Sequence, residues 1–148
     1  NHIETIHAAT ALLAEEKISP EIKNEALYLR SMAYLNEQAT EKAFADWQVL
    51  AQDIRTVYGA EASYRMAQML YDKGDFAAAE KHVLQFIDQS TPHAYWLARA
   101  FVLLSDVYAA QGKNMEAKQY LLSLKQNYQA DDDITGMIEE RMKNFTEE

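Results

Sequence analysis

Three segments of this 148-residue chain repeat one pattern of small and large side chains at constant distances from a turn residue, and any fold has to satisfy all three at once. Measured from Gln38, Gly74 and Gly112, a small residue stands seven positions earlier (Ser31, Ala67, Ser105) and a large one four positions earlier (Tyr34, Leu70, Tyr108). Positions five, nine and twelve after the turn hold Ala43, Trp47 and Leu50 in the first copy. The second copy has Ala79, Val83 and Phe86 there, and the third has Ala117, Leu121 and Leu124. The apolar residues on both sides of each turn follow helical spacing, so each copy reads as two amphipathic helices folded back on each other. The small residues let antiparallel backbones approach to roughly 8–10 Å, and the large ones fill the groove beside them. Glycine at the turn supplies the positive φ that ends a helix.

Composition supports an all-α fold. Only four Gly and two Pro occur, which leaves little turn chemistry for hairpins of strands, while 49% of residues are hydrophobic and the common polar residues are helix formers. A net charge of −9 and the run Asp131-Asp132-Asp133 argue against nucleic acid and anionic lipid as partners, because both need a basic patch that releases counterions. With no Cys there is neither a disulfide nor a thiolate zinc site, which leaves cytoplasm and periplasm equally open. No window reaches the ~18–20 apolar residues of a membrane span.

Taken in order, residues 3–17 predict one amphipathic helix without a partner before it. Ser19-Pro20 then starts a second, Ser as N-cap and Pro at the first helical position, where its missing N–H costs nothing. Hairpins are expected over residues 20–56, 57–90 and 91–128. Thr91-Pro92 reads as another capping start and predicts a long helix over residues 92–111, while residues 56–59 (TVYG) read as a short junction. A last helix over residues 131–146, capped by Asp133 and carrying Ile134, Met137, Ile138, Met142 and Phe145, would close the exposed core with a charged outer face. The total is about eight antiparallel helices in a single domain. Because the first residue is Asn1, the chain is expected to be a segment of a longer protein, its first helix belonging to a preceding repeat.

With these offsets, residues 24–128 resemble the tetratricopeptide repeat, whose pattern has small side chains at its eighth and twentieth positions, a bulky one at the eleventh and Gly-Asp-aromatic at the hairpin. Gly74-Asp75-Phe76 carries that turn signature, Gly112-Lys113-Asn114 keeps the Gly, and Gln38-Ala39-Thr40 keeps none of it. The turn residues lie 36 and 38 apart against a family period of about 34, so the extra residues belong between hairpins. The resemblance implies a right-handed α-α superhelix that acts without catalysis, as a scaffold holding a peptide or protein surface in a concave groove. In the family the second, fifth, ninth and twelfth positions of each first helix face that groove. Here these are Glu25, Tyr28, Met32 and Leu35; Glu61, Tyr64, Gln68 and Tyr71; and Arg99, Val102, Asp106 and Ala109. Tyr28, Met32, Tyr64, Gln68, Tyr71 and Arg99 are the ligand-binding residues so implied. Members that grip chaperone carboxylates use Lys and Asn where Tyr28 and Met32 stand, so an acidic peptide tail is not the expected ligand. The stretch HAYWLARAFVLLSDVYAAQG and the acidic cap also resemble C-terminal repeats of large bacterial tetratricopeptide proteins, some of them associated with the cell envelope.

Nothing in the sequence points to chemistry. The four His, at 2, 7, 82 and 93, lack the i, i+4 pairing of helical metal ligands, and no metal or cofactor is expected. No nucleophile elbow, phosphate loop or H-E-x-x-H occurs. Glu15-Glu16 and Glu139-Glu140 are adjacent, so on a helix they diverge. Asn144-Phe145-Thr146 matches a glycosylation acceptor, a pattern frequent by chance. Nine Tyr, two Trp and five Phe exceed what the repeat's core positions consume, which leaves aromatics for a recognition face. The alternative is a structural segment that self-associates into a homo-oligomer through the apolar edge of the first helix; an enzyme would need catalytic groups from another domain.

Overall fold

The computed structural model describes residues 1–145, and at the three turn positions of the repeat one glutamine and two glycines do the same thing. Gln38, Gly74 and Gly112 all take positive φ, at 61°, 81° and 78°. The following N–H, of Ala39, Asp75 or Lys113, donates to the carbonyl of Tyr34, Leu70 or Tyr108 at 2.8, 3.0 and 2.8 Å. The turn residue's own N–H donates to Leu35, Tyr71 or Ala109 at 3.1, 2.9 and 3.0 Å. This double bond pattern satisfies carbonyls that a helix end otherwise orphans. Gln38 adopts the conformation although its side chain opposes it by about 1–2 kcal/mol. Only Asp75 adds a side-chain cap, accepting from the Ala78 N–H at 3.2 Å.

Eight α-helices and no strand form the described residues: α1 (His2–Leu13), α2 (Pro20–Asn36), α3 (Thr40–Leu50), α4 (Val57–Asp72), α5 (Phe76–Asp88), α6 (Ala94–Ala110), α7 (Asn114–Asn127) and α8 (Ile134–Met142). A 3-10 turn, Lys143–Phe145, follows. Thr146 of the glycosylation pattern and Glu148, expected to tolerate alanine at almost no cost, lie outside the described residues, as does the end of the capping segment. The chain divides into two compact units, Asn1–Met66 and Ala67–Glu148.

In the first unit α2 packs against both α1 and α3. Its polar centre is Arg30, whose guanidinium meets the Asp46 carboxylate at 2.9 and 2.6 Å and also donates to Thr10 Oγ1 at 3.2 Å. One side chain of α2 thereby ties together all three helices. In the second unit α6 packs against α5 and α7, and α8 lies against α6 and α7. Ile134 and Ile138 of α8 are buried among Ala98, Val102, Leu121 and Leu124.

The alanines of the repeat are where the helices meet. Ala43, Ala79 and Ala117 have no exposed surface, and Ser31, Ala67 and Ser105 are at most 1% exposed. The approach is close enough in the third copy for Ser105 Oγ to donate to the Ala117 carbonyl on the facing helix at 2.8 Å. A leucine at Ala79 or Ala117 has nowhere to go, and each substitution is expected to cost roughly 1–3 kcal/mol, read as a lower midpoint in thermal melts. A neutral or stabilising Ala117→Leu would contradict this packing.

The structure departs from the sequence expectations at several helix ends. The first helix stops at Leu13, not residue 17, because Glu15 and Glu16 would bring negative charge to the already negative end of the helix. Ser19 caps α2 as expected, accepting from the Ile22 N–H at 3.2 Å. Thr91-Pro92 does not repeat that arrangement: Ser90 turns left-handed at φ 57°, Thr91 Oγ1 accepts from the His93 N–H, and α6 begins only at Ala94. Residues 56–59 are no junction. Thr56 Oγ1 donates to the Asp53 carbonyl and accepts the Gly59 N–H, both at 2.9 Å, which makes Thr56 the cap of α4. Asp133 does not cap α8 with its side chain; Asp132 Oδ1 takes the Ile134 N–H at 2.9 Å instead, leaving Asp133 for Tyr95.

Candidate functional site

The residues implied as ligand contacts fall in both units, and each unit is taken separately. In the first, Tyr28 lies half-buried with its ring 4.8 Å from that of Tyr58. Its hydroxyl donates to Glu61 Oε2 at 3.3 Å, and Arg65 Nε donates to the same oxygen at 2.6 Å. Burial raises the Tyr28 phenol above its ordinary range, and the neighbouring Glu61 charge raises it further, so Tyr28 stays neutral and donating. Met32, one turn along α2, is half-buried. Tyr64 is a correction: at 6% exposure it belongs to the core. Its size and position suit packing, and a side chain so enclosed presents almost no surface to a ligand. Glu61, also buried, is spent on the Tyr28 and Arg65 contacts.

In the second unit Gln68 Nε2 donates to Asp72 Oδ1 at 2.9 Å, and half-buried Tyr71 packs 5.3 Å from the Phe76 ring. The Tyr71 phenol is raised by burial and then by the Asp106 charge. Asp106 itself receives Arg141 of α8 in a two-pronged pair, at 2.8 and 3.0 Å. Such a fork fixes orientation as well as charge. Arg99 donates to the Tyr95 hydroxyl at 2.9 Å and lies 5.8 and 5.7 Å from the Tyr95 and Trp96 ring centres, within range of a cation–π contact. The Tyr95 hydroxyl in turn donates to the Asp133 carboxylate. Tyr128 donates to Asp132 at 2.5 Å, and that bond pushes its phenol up to about 12.

The third set of groove positions is therefore largely covered by the protein itself. Val102 is buried under Ile134 and Ile138, Asp106 is held by Arg141, and Ala109 alone is exposed. Among the expected contacts, Tyr28, Met32, Gln68, Tyr71 and Arg99 keep partial exposure, and most already have protein partners. Within each unit, those partners fix the orientation of the polar groups they hold. Among the described residues, no group of three or more His, Cys, Asp or Glu could hold a metal ion, and no helix is long and apolar enough to cross a membrane.

A feature less visible in the sequence lies between α1 and α2. Thr5, Ala8, Ala9 and Leu12 face Ile22, Glu25, Ala26 and Leu29 across a groove of about 370 Å³. Leu12, Ile22 and Leu29 remain 37%, 46% and 46% exposed. The first wall was anticipated as the apolar edge of the first helix. The second was missed, although Ile22 and Leu29 stand seven residues apart, two turns along one face.

Compared with family models, curated proteins and solved structures, the chain matches none.

Proposed function

We propose that this chain is an α-solenoid of the tetratricopeptide type, a right-handed stack of helical hairpins from a larger bacterial protein, and that it serves as a non-enzymatic module recognising a protein or peptide. The observation that carries this reading is the threefold turn: one left-handed residue, one pair of backbone bonds and one fully buried alanine five residues later, repeated at Gln38, Gly74 and Gly112. Repeated hairpins with buried small residues build an extended surface and no reaction centre. Two acidic groups at the family's groove positions support the same reading, since Glu61 is paired with Arg65 and Asp106 with Arg141. The ligand contacts proposed are Tyr28 and Met32 in the first unit and Gln68, Tyr71 and Arg99 in the second.

Selection of peptides from a displayed library on the immobilised chain tests this. A selected peptide is expected to lose roughly tenfold in affinity, about 1.4 kcal/mol, when Met32→Ala or Tyr71→Ala is introduced. Affinity unchanged in both variants would reject these positions as contacts.

One observation favours a second reading, a self-associating structural segment: Ile3, Leu12, Ile22 and Leu29 all lie exposed on the first two helices. Light scattering separates the two, since a mass independent of concentration removes self-association.

A further inference from the structure

The seat on which α8 lies is held together by contacts of its own. Ser105 Oγ of α6 donates to the Ala117 carbonyl of α7 at 2.8 Å, and the Tyr108 and Tyr120 rings stack 5.5 Å apart across the same two helices. Neither contact involves α8. On one side of this hairpin Ala98 and Val102 of α6 meet Leu121 and Leu124 of α7, and Ile134 and Ile138 of α8 cover them.

α8 itself is only weakly committed to its place. It has nine residues, fewer than the ~12–15 a helix needs to persist alone in water. Gly136 stands inside it, although glycine is the poorest helix former after proline and no neighbour lies within 4 Å of an added Cβ. The helix buries only Ile134 and Ile138, while Met137 and Met142 are half-buried. Its other fastenings are polar and sit at its two ends. At the start, Asp132 Oδ1 takes the Ile134 N–H and Asp133 takes the Tyr95 hydroxyl of α6. At the finish, Arg141 forks onto Asp106 of α6. Water reaches both clasps to α6, since Asp133 is exposed and the Arg141 and Asp106 side chains are 28% and 23% exposed. Residues 128–133 form no helix, so α8 lifts without unwinding α7. Few buried contacts and solvent-reached polar ones mark a segment that opens ahead of its surroundings.

We propose that α8 is an autoinhibitory strap: it leaves the α6–α7 hairpin as a unit, and the face it uncovers takes a partner protein's helix built to the same pattern. That pattern is read from the occupant in place, apolar at i and i+4 over Ala98, Val102, Leu121 and Leu124, with arginine at i+7 on Asp106. The proposal rests on α6, α7 and α8 alone and not on the Tyr, Met, Gln and Arg contacts.

Hydrogen exchange on the whole chain reads the strap without any substitution, and α8 amides are expected to exchange at least about tenfold faster than those in the middle of α6 and α7. Arg141→Ala is expected to speed α8 roughly tenfold further, and Gly136→Ala, at an exposed position with free space, to slow it roughly fivefold. A labelled synthetic peptide of residues 130–145 then probes the seat by fluorescence anisotropy. Because apparent affinity scales with the open fraction, saturable binding is expected to be about tenfold tighter to the Arg141→Ala chain than to the unaltered one, and weakest to Gly136→Ala. It is expected to vanish when the peptide carries Ile134→Ser with Ile138→Ser. The proposal is overturned by α8 amides exchanging in step with those of α6 and α7, by no saturable binding to the Arg141→Ala chain, by equal binding to all three chains, or by indifference to the two isoleucines. A mass that rises with concentration in the Arg141→Ala chain would overturn it too, by giving the seat to α8 of a second copy. Because Tyr28, Met32, Gln68, Tyr71 and Arg99 are untouched in every arm, failure here leaves the peptide-selection result to stand or fall separately.

Discussion

Gly59→Ala is expected to lower the melting temperature by roughly 6–12 °C, taking about 3 kcal/mol of lost stability for a chain of this size. An alanine in a helix normally gains about 1 kcal/mol over glycine. At Gly59 that gain is overwhelmed, because an added Cβ would sit 2.0 Å from the Asp53 carbonyl oxygen and 2.6 Å from that of Leu50. Both are backbone atoms, one on the last residue of α3 and one in the turn that follows it, and neither can swing aside as a side chain would. The first turn of α4 also depends on the spot, since the Gly59 N–H fills Thr56 Oγ1. Gly136 is the internal control: nothing lies within 4 Å of a Cβ there, so Gly136→Ala should be neutral or slightly stabilising. Calorimetry on the two variants decides the matter, and a Gly59→Ala protein melting at or above the parent would show that α4 does not press on the end of α3.

Arg30→Met is expected to cost about 3 kcal/mol, at the lower end of what breaking a buried ion pair costs. The cost arises from what is left behind. The Asp46 side chain is only 5% exposed, so without the guanidinium it keeps a charge that water cannot reach. Methionine preserves most of the stem, which separates loss of charge from loss of packing. Adding Asp46→Leu should recover a large part of the loss, because two apolar groups of similar size need no partner. Urea unfolding of both single variants and the double variant measures the coupling. If the single substitutions simply added, Arg30 and Asp46 would not be acting as a pair.

Much of the helical plan was legible because it is written in local periodicity. The offsets around Gln38 are the clearest case: no glycine marks that turn, yet the positions of Ser31 and Ala43 relative to it match the other two copies. Helix ends were harder to read, since they depend on which of two adjacent polar groups wins a backbone N–H. Asp132 and Asp133 are indistinguishable in sequence, and only the reach of the Tyr95 hydroxyl decides that Asp133 serves it and Asp132 serves Ile134. Pro92 misled for a similar reason, its Thr-Pro resembling Ser19-Pro20 while the left-handed Ser90 changes the direction of entry. The ion pairs were out of reach altogether. Arg30 and Asp46 are 16 residues apart and Arg141 and Asp106 are 35 apart, separations at which charge pattern alone names no partner. Tyr64 failed for a different reason: a position inherited from a family register says which way a side chain starts out, and neighbouring bulk decides whether it ends in solvent.

Trp47 and Trp96 are the chain's two tryptophans, and they fall one in each unit. Trp47 is 3% exposed and its indole N–H has no acceptor among the described residues, whereas Trp96 is half-buried beneath the Arg99 cation. The protein consequently carries a native fluorophore for each half, one in a dry setting and one partly wet, and their emission reports whether the halves lose structure together or in succession.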